Sequence, residues 1–439
     1  MFSRSSIPAL SAIGGDEAPA EPSIDLGTLA RLCYFSNGIT RVLRGMPFRA
    51  AACTGALYHI ELYAICGDLP GLEAGVYHYD ARENALRQVR RGDFRRALMS
   101  ATGDEPSVAG APLVVALTST WWRNAWKYQA RAYRHAFWDS GTLIANLLGV
   151  ARGQGIPSRV VVGFADAELN ALLDIDQERE ATICLVALGS GSTIPGAAPA
   201  SVPLHLPTRA LSAHEVDYPE IIAAHSASSL SSGAEAAAWR AQAWSEHNRQ
   251  PGRVAVRPVA AASDESIEDV ILRRGSSRRF SHAPITAEAL QQMLRVATSP
   301  IASDVPDPTQ AYLIVNAVDG LPSGTYVFDA SAARLEPLQA GDFRRQAAYL
   351  DLGQDLGGDA AVNVYWLANL DDLDDRGYRA AQLAAAIAGG RLYLAAYALG
   401  LGATGLTFFD DDVTRFFSPH AAGKSVMFLL AVGHPLRRR

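Results

Sequence analysis

Lysine is almost absent from this chain of 439 residues. Of its 39 basic side chains only Lys127 and Lys424 are lysine, so arginine supplies nearly all of the positive charge. Arginine stays protonated, whereas a lysine in a suitable environment can lose its proton near neutral pH. We expect a lysine that persists against this bias to lie where a guanidinium cannot replace it. The alternative is that both lysines survive by chance.

Cysteine is scarce and dispersed, and histidine shows no ligand spacing. The ten histidines form no cluster, and no C-x-x-C pair occurs among the four cysteines, which are Cys33, Cys53, Cys66 and Cys184. This spacing favours neither a zinc site nor a disulfide framework, and it suits a reducing compartment. We therefore expect no metal site.

Long apolar runs and a basic surplus are also lacking. No run of about 18 apolar residues occurs, which argues against a membrane span, and the amino-terminal segment has no continuous apolar stretch typical of a signal peptide. The net charge is −6 and the pI is about 5.9, so a global basic footprint for nucleic acid is excluded. The cytoplasm is the expected location, without nucleic-acid or membrane partners.

What the chain does contain is an internal repeat of a whole domain. The segment from Tyr63 to Arg96 matches the segment from Tyr312 to Arg345 at a constant offset of 249 residues, and both end in GDFRR. AYRHAF and GYRAAQ match further downstream, and each half closes on an apolar strand, ICLVALG or MFLLAVG. The period is far too long for a solenoid, so we infer two fused domains.

We place the first domain at residues 22–190 and the second at 262–439. Residues 191–261 between them are rich in Ser, Ala, Gly and Pro, which is typical of a linker, although PEIIAAH and AAAWRAQAW favour short helices within it. In each copy, short apolar runs predict strands and helical periodicity predicts one long helix, which in the first copy runs from Asn124 to Gly153. Each domain is therefore predicted to be α+β.

Several motifs together resemble the nitroreductase superfamily, and in particular its SagB/ThcOx branch of azoline dehydrogenases. The first half contributes CTGALYHIELY, GLEAGVYHYD and WRNAWKYQARAYRHAFWDSG, and the second half contributes RRGSSRRF and GLGATGLTFFDDD. The resemblance covers nearly the whole chain in tandem form. It implies two fused FMN-dependent nitroreductase-like domains that form an internal pseudo-dimer, with the flavin between them.

The resemblance assigns the FMN phosphate to the second copy. There Arg274, Ser276 and Arg278 supply two guanidiniums and a hydroxyl within five residues, groups suited to a phosphate. Without the resemblance, a solvated basic patch would be the simpler interpretation. Arg437, near the carboxyl terminus, is a weaker candidate for the same role, since terminal arginines are usually solvated.

The loop that would face the flavin ring occurs in the first copy. Family members have a Ser-Gly-rich loop at this place, and glycine allows the backbone to approach a planar ring. A departure from the pattern is that Cys53 replaces the usual serine and His59 the usual proline. The second copy has ASDVPDPTQAY here, without glycine, whereas the first copy has AIGGDEAPAEPSID where the second has its phosphate motif. These complementary losses predict one composite site, to which the alignment adds Gly405 and Thr407; its loop residues are Cys53, Thr54, Gly55 and Ala56.

Lys127 and Tyr128 resemble the catalytic Lys-Tyr pair of the azoline-dehydrogenase branch. On one continuous helix, Lys127, Arg131 and Arg134 would share a stripe. We expect the two guanidiniums, together with partial burial, to lower the pKa of Lys127 from about 10.4 towards neutrality, as a general base requires. The alternative is a surface lysine beside a core tyrosine.

The expected function is FMN-dependent oxidation of thiazoline or oxazoline rings in a modified peptide, with a cyclodehydratase complex as an expected partner. One alternative is an NAD(P)H-dependent nitro or quinone reductase. Another is a non-catalytic partner in a peptide-modifying complex. An internal pseudo-dimer also favours a monomer or a homodimer over larger assemblies.

Overall fold

A computed structural model describes residues 2–14, 23–191, 195–247 and 264–436. Below, residues 2–191 are called the first half and residues 264–436 the second half. No helix within these described ranges combines the length and apolarity needed to cross a membrane.

The first half contains seven helices and eight strands in its described residues. The helices are α1 (Ala9–Gly14), α2 (Leu26–Asn37), α3 (Arg95–Ala101), α4 (Pro106–Gly110), α5 (Trp122–Tyr128), α6 (Ala132–Gly153) and α7 (Asp166–Leu173). The strands are β1 (Ile39–Leu43), β2 (Met46–Arg49), β3 (Ile60–Cys66), β4 (Gly75–Asp80), β5 (Ala85–Arg91), β6 (Leu113–Thr120), β7 (Ser158–Val161) and β8 (Glu180–Leu188). Short 3-10 turns lie at Thr54–Ala56 and Gln129–Arg131.

The second half repeats this order after two connecting helices, α8 (Pro219–Ala227) and α9 (Gly233–His247). Its helices are α10 (Ile267–Arg273), α11 (Ala287–Ala297), α12 (Arg344–Leu350), α13 (Asp355–Asp359), α14 (Asp375–Ala398) and α15 (Asp410–Phe417). Its strands are β9 (Ile285–Thr286), β10 (Gln310–Val315), β11 (Val318–Asp319), β12 (Gly324–Asp329), β13 (Arg334–Ala340), β14 (Val362–Asn369), β15 (Gly402–Gly405) and β16 (Lys424–Gly433).

Each half is built on a six-stranded antiparallel sheet with the same strand order. The orders are β5-β4-β3-β6-β8-β7 and β13-β12-β10-β14-β16-β15. The central strands β6 and β14 are buried along nearly their whole length, because helices cover both faces of each sheet. The predicted duplication and the α+β class of both domains are confirmed.

The long helices α6 and α14 pack against each other between the two sheets. A Cβ on Gly141 would lie 2.4 Å from the Cβ of Ala386, and one on Gly390 would lie 2.7 Å from the Cβ of Ala145. Small residues on both helices therefore allow the close approach, and a single hydrophobic core extends across the two halves. This is the packing expected of an internal pseudo-dimer.

Ion pairs across this interface repeat in both directions. Asp410, at the start of α15, forms ion pairs with two arginines at the beginning of α6 and just before it. Asp166, at the start of α7, forms ion pairs with two arginines of α14. The donors are Arg131 and Arg134 to Asp410, and Arg376 and Arg379 to Asp166. Because equivalent residues of each half pair with the other half, the two halves are related by a pseudo-two-fold axis.

The connecting helices pack onto both halves. Arg240 of α9 donates hydrogen bonds to the carbonyl oxygens of Gly163 (2.9 Å) and Thr102 (2.6 Å) in the first half. The indole of Trp239 donates to Asp374 in the second half, at 3.0 Å. These helices lie where PEIIAAH and AAAWRAQAW favoured helix.

A hairpin formed by β1 and β2 is present only in the first half. It was not predicted from the sequence pattern, in which ITRVLRGMPFR alternates poorly. The connection between α2 and β3 has 22 residues, whereas that between α11 and β10 has 12. The hairpin therefore accounts for the extra length of the first copy at this place.

Candidate functional site

A cavity of about 660 Å³ lies between the two halves, and we call it the central cavity. Its walls come from the loop before β3, from α5 and α6, from the loop after α10, and from β15 and the residues that follow it. It brings together eleven of the predicted site residues, which are Cys53, Thr54, Gly55, Ala56, Lys127, Tyr128, Arg274, Ser276, Arg278, Gly405 and Thr407. Arg437 lies outside the described residues.

The glycine loop, residues 53–58, has an unusual backbone. Gly55, Ala56 and Tyr58 have φ values of 62°, 55° and 50°, the left-handed region that costs a non-glycine residue about 1 kcal/mol or more. Gly55 and Ala56 are exposed towards the cavity. A loop in this conformation persists only if its surroundings hold it.

Asp139 of α6 fixes the glycine loop through hydrogen bonds to its first two residues. Its carboxylate accepts hydrogen bonds from the backbone N–H of Thr54 (2.9 Å), from the Thr54 hydroxyl (2.9 Å) and from the Cys53 thiol (3.1 Å). The imidazole Nε2 of His59 lies 2.8 Å from the same carboxylate, and its Nδ1 lies 2.8 Å from the hydroxyl of Ser119. Loop, helix and sheet are thus joined through one buried carboxylate.

The protonation states of this cluster follow from burial and from these partners. Burial raises the pKa of the Cys53 thiol, and the neighbouring charge of Asp139 raises it further, so Cys53 is a donor rather than a thiolate. Burial disfavours ionised Asp139 most strongly, but the hydrogen bonds from His59 and Cys53 and the neighbouring imidazoles together outweigh it, so the pKa of Asp139 lies below its ordinary value. Cys53, His59 and Asp139 are metal-ligand residue types, but the contacts between them are hydrogen bonds.

Sequence reasoning missed Asp139. A signal was available, because an aspartate occurs in WDSG within a helix that is otherwise buried and apolar. A buried acid at such a position requires donors around it. The equivalent position on α14 is Ala384, by the alignment of Tyr133 with Tyr378, so the support exists in the first half alone.

The predicted single helix through Lys127, Arg131 and Arg134 is wrong. Gln129 has φ 52° and ψ −141°, so α5 ends at Tyr128 and α6 begins at Ala132. Arg131 lies 3.1 Å from Asp410, and Arg134 pairs with the same carboxylate. The two guanidiniums are therefore engaged by the second half, and the predicted crowding of Lys127 by a shared helical stripe does not occur.

Lys127 and Tyr128 both line the central cavity, at the carboxyl end of α5. Lys127 is exposed, and its Nζ lies 5.1 Å from the centroid of the Tyr128 ring. A Cβ on Gly55 would lie 2.7 Å from the Tyr128 hydroxyl, so the tyrosine rests on the glycine loop. The break at Gln129 thus places the pair at the cavity mouth, against the loop that Asp139 holds.

His135 lies behind this pair and was not predicted. Its ring meets the Tyr128 ring edge-on, with 4.7 Å between the centroids, and its Nδ1 lies 2.8 Å from the side-chain oxygen of Asn124. Burial lowers the pKa of His135 to about 3, so its imidazole is neutral. Its Nε2 has no hydrogen-bond partner among the described residues.

The loop after α10, residues 274–278, forms the opposite wall and is called the basic loop. Arg274 is buried, donates to the carbonyl oxygen of Ala50 at 2.8 Å and lies 5.3 Å from the centroid of the Tyr393 ring. The Tyr393 hydroxyl donates to Ser276 at 2.7 Å. Arg278 is exposed on the cavity wall and makes no hydrogen bond or ion pair within the described part of the chain. Arg274 thus joins the halves, while Arg278 keeps its charge available.

The pseudo-symmetric position between the halves is closed. The gap there has a volume of only about 20 Å³ and is lined by Val160, Ser303, Ala384 and their neighbours. The chain around Ser303 pairs with β7, since Val160 donates to Ala302 at 2.8 Å and Asp304 donates to Val160 at 2.9 Å. Asp304 also accepts hydrogen bonds from the backbone of Val162 and Gly163. Backbone and side chains thus fill the second site.

Lys424, the other lysine, lies outside the central cavity and forms hydrogen bonds with neighbouring side chains. Its Nζ donates to the Gln310 side chain at 2.7 Å and to the Tyr312 hydroxyl at 2.9 Å. Burial lowers the pKa of Lys424 from its ordinary value. Of the two lysines, only Lys127 lines the central cavity.

A comparison with known families and proteins gives a consistent result. The family described as "Nitroreductase family" matches residues 20–190 and 271–434. The trifolitoxin-processing protein TfxB of Rhizobium leguminosarum bv. trifolii is 27% identical over 175 residues, which are 38% of this chain and 47% of TfxB. The microcin B17-processing protein McbC of Escherichia coli is 28% identical over 140 residues, 31% of this chain and 52% of McbC. The chain thus spans about half the length of these two relatives.

The fold recurs over the whole chain in a solved structure from Anabaena variabilis. That nitroreductase-type protein has a TM-score of 0.75 and 24% identity, and the match covers 99% of this chain and 93% of the other. The tandem arrangement of two such domains is therefore shared with a solved protein of nearly the same extent.

Proposed function

Because the chain belongs to the nitroreductase family, with both of its halves matching, we propose that it is an FMN-dependent dehydrogenase that oxidises thiazoline or oxazoline rings of a modified peptide to azoles. Family membership supports an oxidoreductase. The observation that carries the finer proposal is the central cavity, where the glycine loop and the Lys127–Tyr128 pair of one half meet the basic loop of the other.

The residues around the central cavity fit FMN. Two buried polar atoms on its wall, the Nε of Arg274 and the hydroxyl of Thr407, have no partner among the described residues. A Cβ on Gly405 would have no neighbour nearer than 3.9 Å, so the backbone is accessible there. The volume of about 660 Å³ lies in the range of ligand sites, roughly 300–1,000 Å³.

In this assignment each half supplies a different part of the site. Arg274, Ser276 and Arg278 would hold the phosphate, with Arg278 providing a charge that pairs with no carboxylate of the described residues. The glycine loop, Gly405 and Thr407 would hold the flavin ring. The closed pseudo-symmetric position, about 20 Å³, supports one FMN per chain.

The chemistry needs a base beside the ring to be oxidised. In an azoline, one carbon-bound proton is acidified by the adjacent imine and carbonyl groups. Lys127 accepts this proton at its Nζ, and the Tyr128 hydroxyl, which rests on the glycine loop, orients the substrate ring. FMN, when bound, supplies the oxidation by accepting two electrons and the second hydrogen. Neutral His135 lines the cavity behind this pair, and its Nε2 has no partner among the described residues.

The two relatives support a role in peptide modification, since their names refer to the processing of trifolitoxin and of microcin B17. A second candidate is an NAD(P)H-dependent nitro or quinone reductase. The break in the helix at Gln129 favours this second candidate, because it removes the two neighbouring arginines that were expected to make Lys127 a base.

Anaerobic spectroscopy separates these two functions. A dehydrogenase should be reduced by an azoline peptide alone, so the oxidised flavin band should bleach without NAD(P)H. Deuterium at the acidic carbon should slow this bleaching if Lys127 removes that proton. Rapid bleaching by NADPH, with recovery on adding a quinone and no response to azolines, would establish the reductase instead.

A further inference from the structure

The hairpin of β1 and β2 forms part of the central cavity although no other strand pairs with it in the described residues. Its two-residue turn, Arg44–Gly45, has φ values of 51° and 78°, which is typical of a type I′ turn. Arg41, Leu43 and Phe48 on one face of the hairpin line the cavity. The hairpin is thus an additional wall of the cavity that Lys127 and Tyr128 also line, and its Arg41 donates to the carbonyl oxygen of Arg274 at 3.4 Å.

The hairpin exposes large apolar side chains. Val42 is 64% exposed, Leu43 57% and Met46 63%. Three such residues within five positions of one small element form an apolar patch, and apolar patches of this kind mark interaction sites. The described residues of the second half have no equivalent hairpin, and the pseudo-symmetric position is closed, so the exposed patch occurs on the side of the candidate active site.

Only one edge of the hairpin is able to accept a further strand fully. The pair Leu43–Met46 closes the turn, so the next pair, Val42–Pro47, directs its backbone groups outwards. Pro47 has no N–H, which removes the donor from the outer edge of β2. Val42 keeps both its N–H and its C=O on the outer edge of β1, where a further strand is able to pair with it.

The hairpin is also strongly basic. The segment from Gly38 to Ala50 contains Arg41, Arg44 and Arg49 and no acidic residue. Arg49 donates to Asn37 and to the carbonyl oxygen of Ile60 at its base, and Arg44 stands at the exposed tip. The surface therefore complements an extended segment that carries apolar and acidic side chains.

We propose that the outer edge of β1 binds the peptide substrate as a third, extended strand, with an acidic residue of the peptide beside Arg44 and the ring to be oxidised in the central cavity. This rests on the proposed function, because the bound strand is the modified peptide whose rings that function oxidises. Strand addition of this kind obtains affinity from main-chain hydrogen bonds and specificity from alternate side chains.

The first test removes the donor at Val42 and measures binding by fluorescence anisotropy of a labelled, acidic azoline peptide. Val42→Pro lacks the N–H, and the matched control Val42→Ala keeps it. We expect Val42→Pro to bind the peptide roughly threefold to tenfold more weakly than Val42→Ala, the range for one main-chain hydrogen bond. FMN content and bleaching by a single-ring azoline should remain as in the unmodified protein. Equal affinity of the two variants would overturn the proposal. A change of oligomeric state in both variants would also overturn it, because the hairpin would then contact a second copy of the chain.

A second test uses the charge at the tip and does not depend on a proline. Arg44→Asn removes the guanidinium and keeps a residue that tolerates the left-handed turn. It should weaken binding of the acidic peptide but not of the same peptide with amides in place of its acids. Equal losses for both peptides would contradict the proposed pairing. Because binding is measured directly, failure of the proposed oxidation would appear separately, as intact binding without flavin bleaching by any azoline.

Discussion

The Tyr128 hydroxyl lies 2.7 Å from the point where a Cβ on Gly55 would stand. This contact joins the candidate catalytic pair to the glycine loop. Since Asp139 fixes the same loop from the opposite side, the position of Tyr128 depends on a carboxylate that lies outside the Lys-Tyr motif. A tight contact of this kind requires glycine at residue 55.

Substitution of Lys127 tests its assignment as the base. We expect Lys127→Ala and Lys127→Arg to keep FMN and to lower the rate of flavin reduction by an azoline peptide roughly 10²–10⁴-fold. The arginine variant should fail because it retains a charge but does not accept a proton. Flavin content and stopped-flow bleaching are the measurements. An active arginine variant would show that Lys127 is not the base. The control is Trp126→Ala, a change at the exposed neighbouring residue of α5, which should leave the rate of flavin reduction nearly unchanged.

Substitution of Asp139 tests the support beneath the glycine loop. Asp139→Ala leaves the Thr54 N–H, the Cys53 thiol and His59 without their shared acceptor, so the strained loop should lose its conformation. Charge-assisted hydrogen bonds contribute roughly 1.5–3 kcal/mol each, and we expect FMN affinity to fall by roughly tenfold or more. Cys53→Ser keeps a donor to the same carboxylate and should bind FMN nearly as well as the unmodified chain. Unchanged FMN affinity in Asp139→Ala would refute the supporting role.

Asp351 makes the stability of the second half depend on pH. One carboxylate oxygen accepts from the Tyr365 hydroxyl at 2.7 Å, the other has no partner among the described residues, and burial raises the pKa of Asp351 from 3.8 to about 8. Between these values folding takes up a proton, so the stability contributed by Asp351 is complete at low pH and is lost as the pH rises through about 8. Asp351→Asn should therefore become progressively more stable than the unmodified protein as the pH rises.

Urea unfolding between pH 5 and pH 9 measures this difference. Asp371→Asn, at an exposed position, is the matched control and should run parallel to the unmodified protein throughout. Parallel curves for Asp351→Asn as well would show that the buried carboxyl does not titrate in this interval.

Much of the fold could be predicted from the sequence, because the duplication and the strands are visible in short stretches of residues. The repeat from Tyr63 to Arg96 and its apolar strands depend on short-range periodicity, and both sheets have the order that a repeated domain requires. The gathering of Gly55, Lys127 and Arg278 at one cavity was predicted from the family resemblance, combined with motifs that occur in complementary halves.

The features that were missed depend on contacts distant in sequence. The helix breaks at Gln129 without the proline or glycine that usually marks a break, because Tyr128 packs on Gly55 and His135. The closure of the second site depends on pairing between the chain at Ser303 and β7, which residues 302–304 alone do not indicate. The hairpin exposes Val42, Leu43 and Met46 on both sides of its turn, so its sequence lacks the alternation of apolar and polar residues that predicts a half-buried strand.

The most direct test of the account is the number of FMN molecules per chain. After gel filtration, flavin absorbance and amino-acid analysis give this ratio for the unmodified protein and for Arg278→Ala. If the two halves together build one site, and the chain around Ser303 closes its counterpart, the unmodified protein should bind one FMN per chain. Arg278→Ala should then lose most of its FMN. Two FMN per chain, or one that Arg278→Ala leaves undiminished, would contradict the composite site.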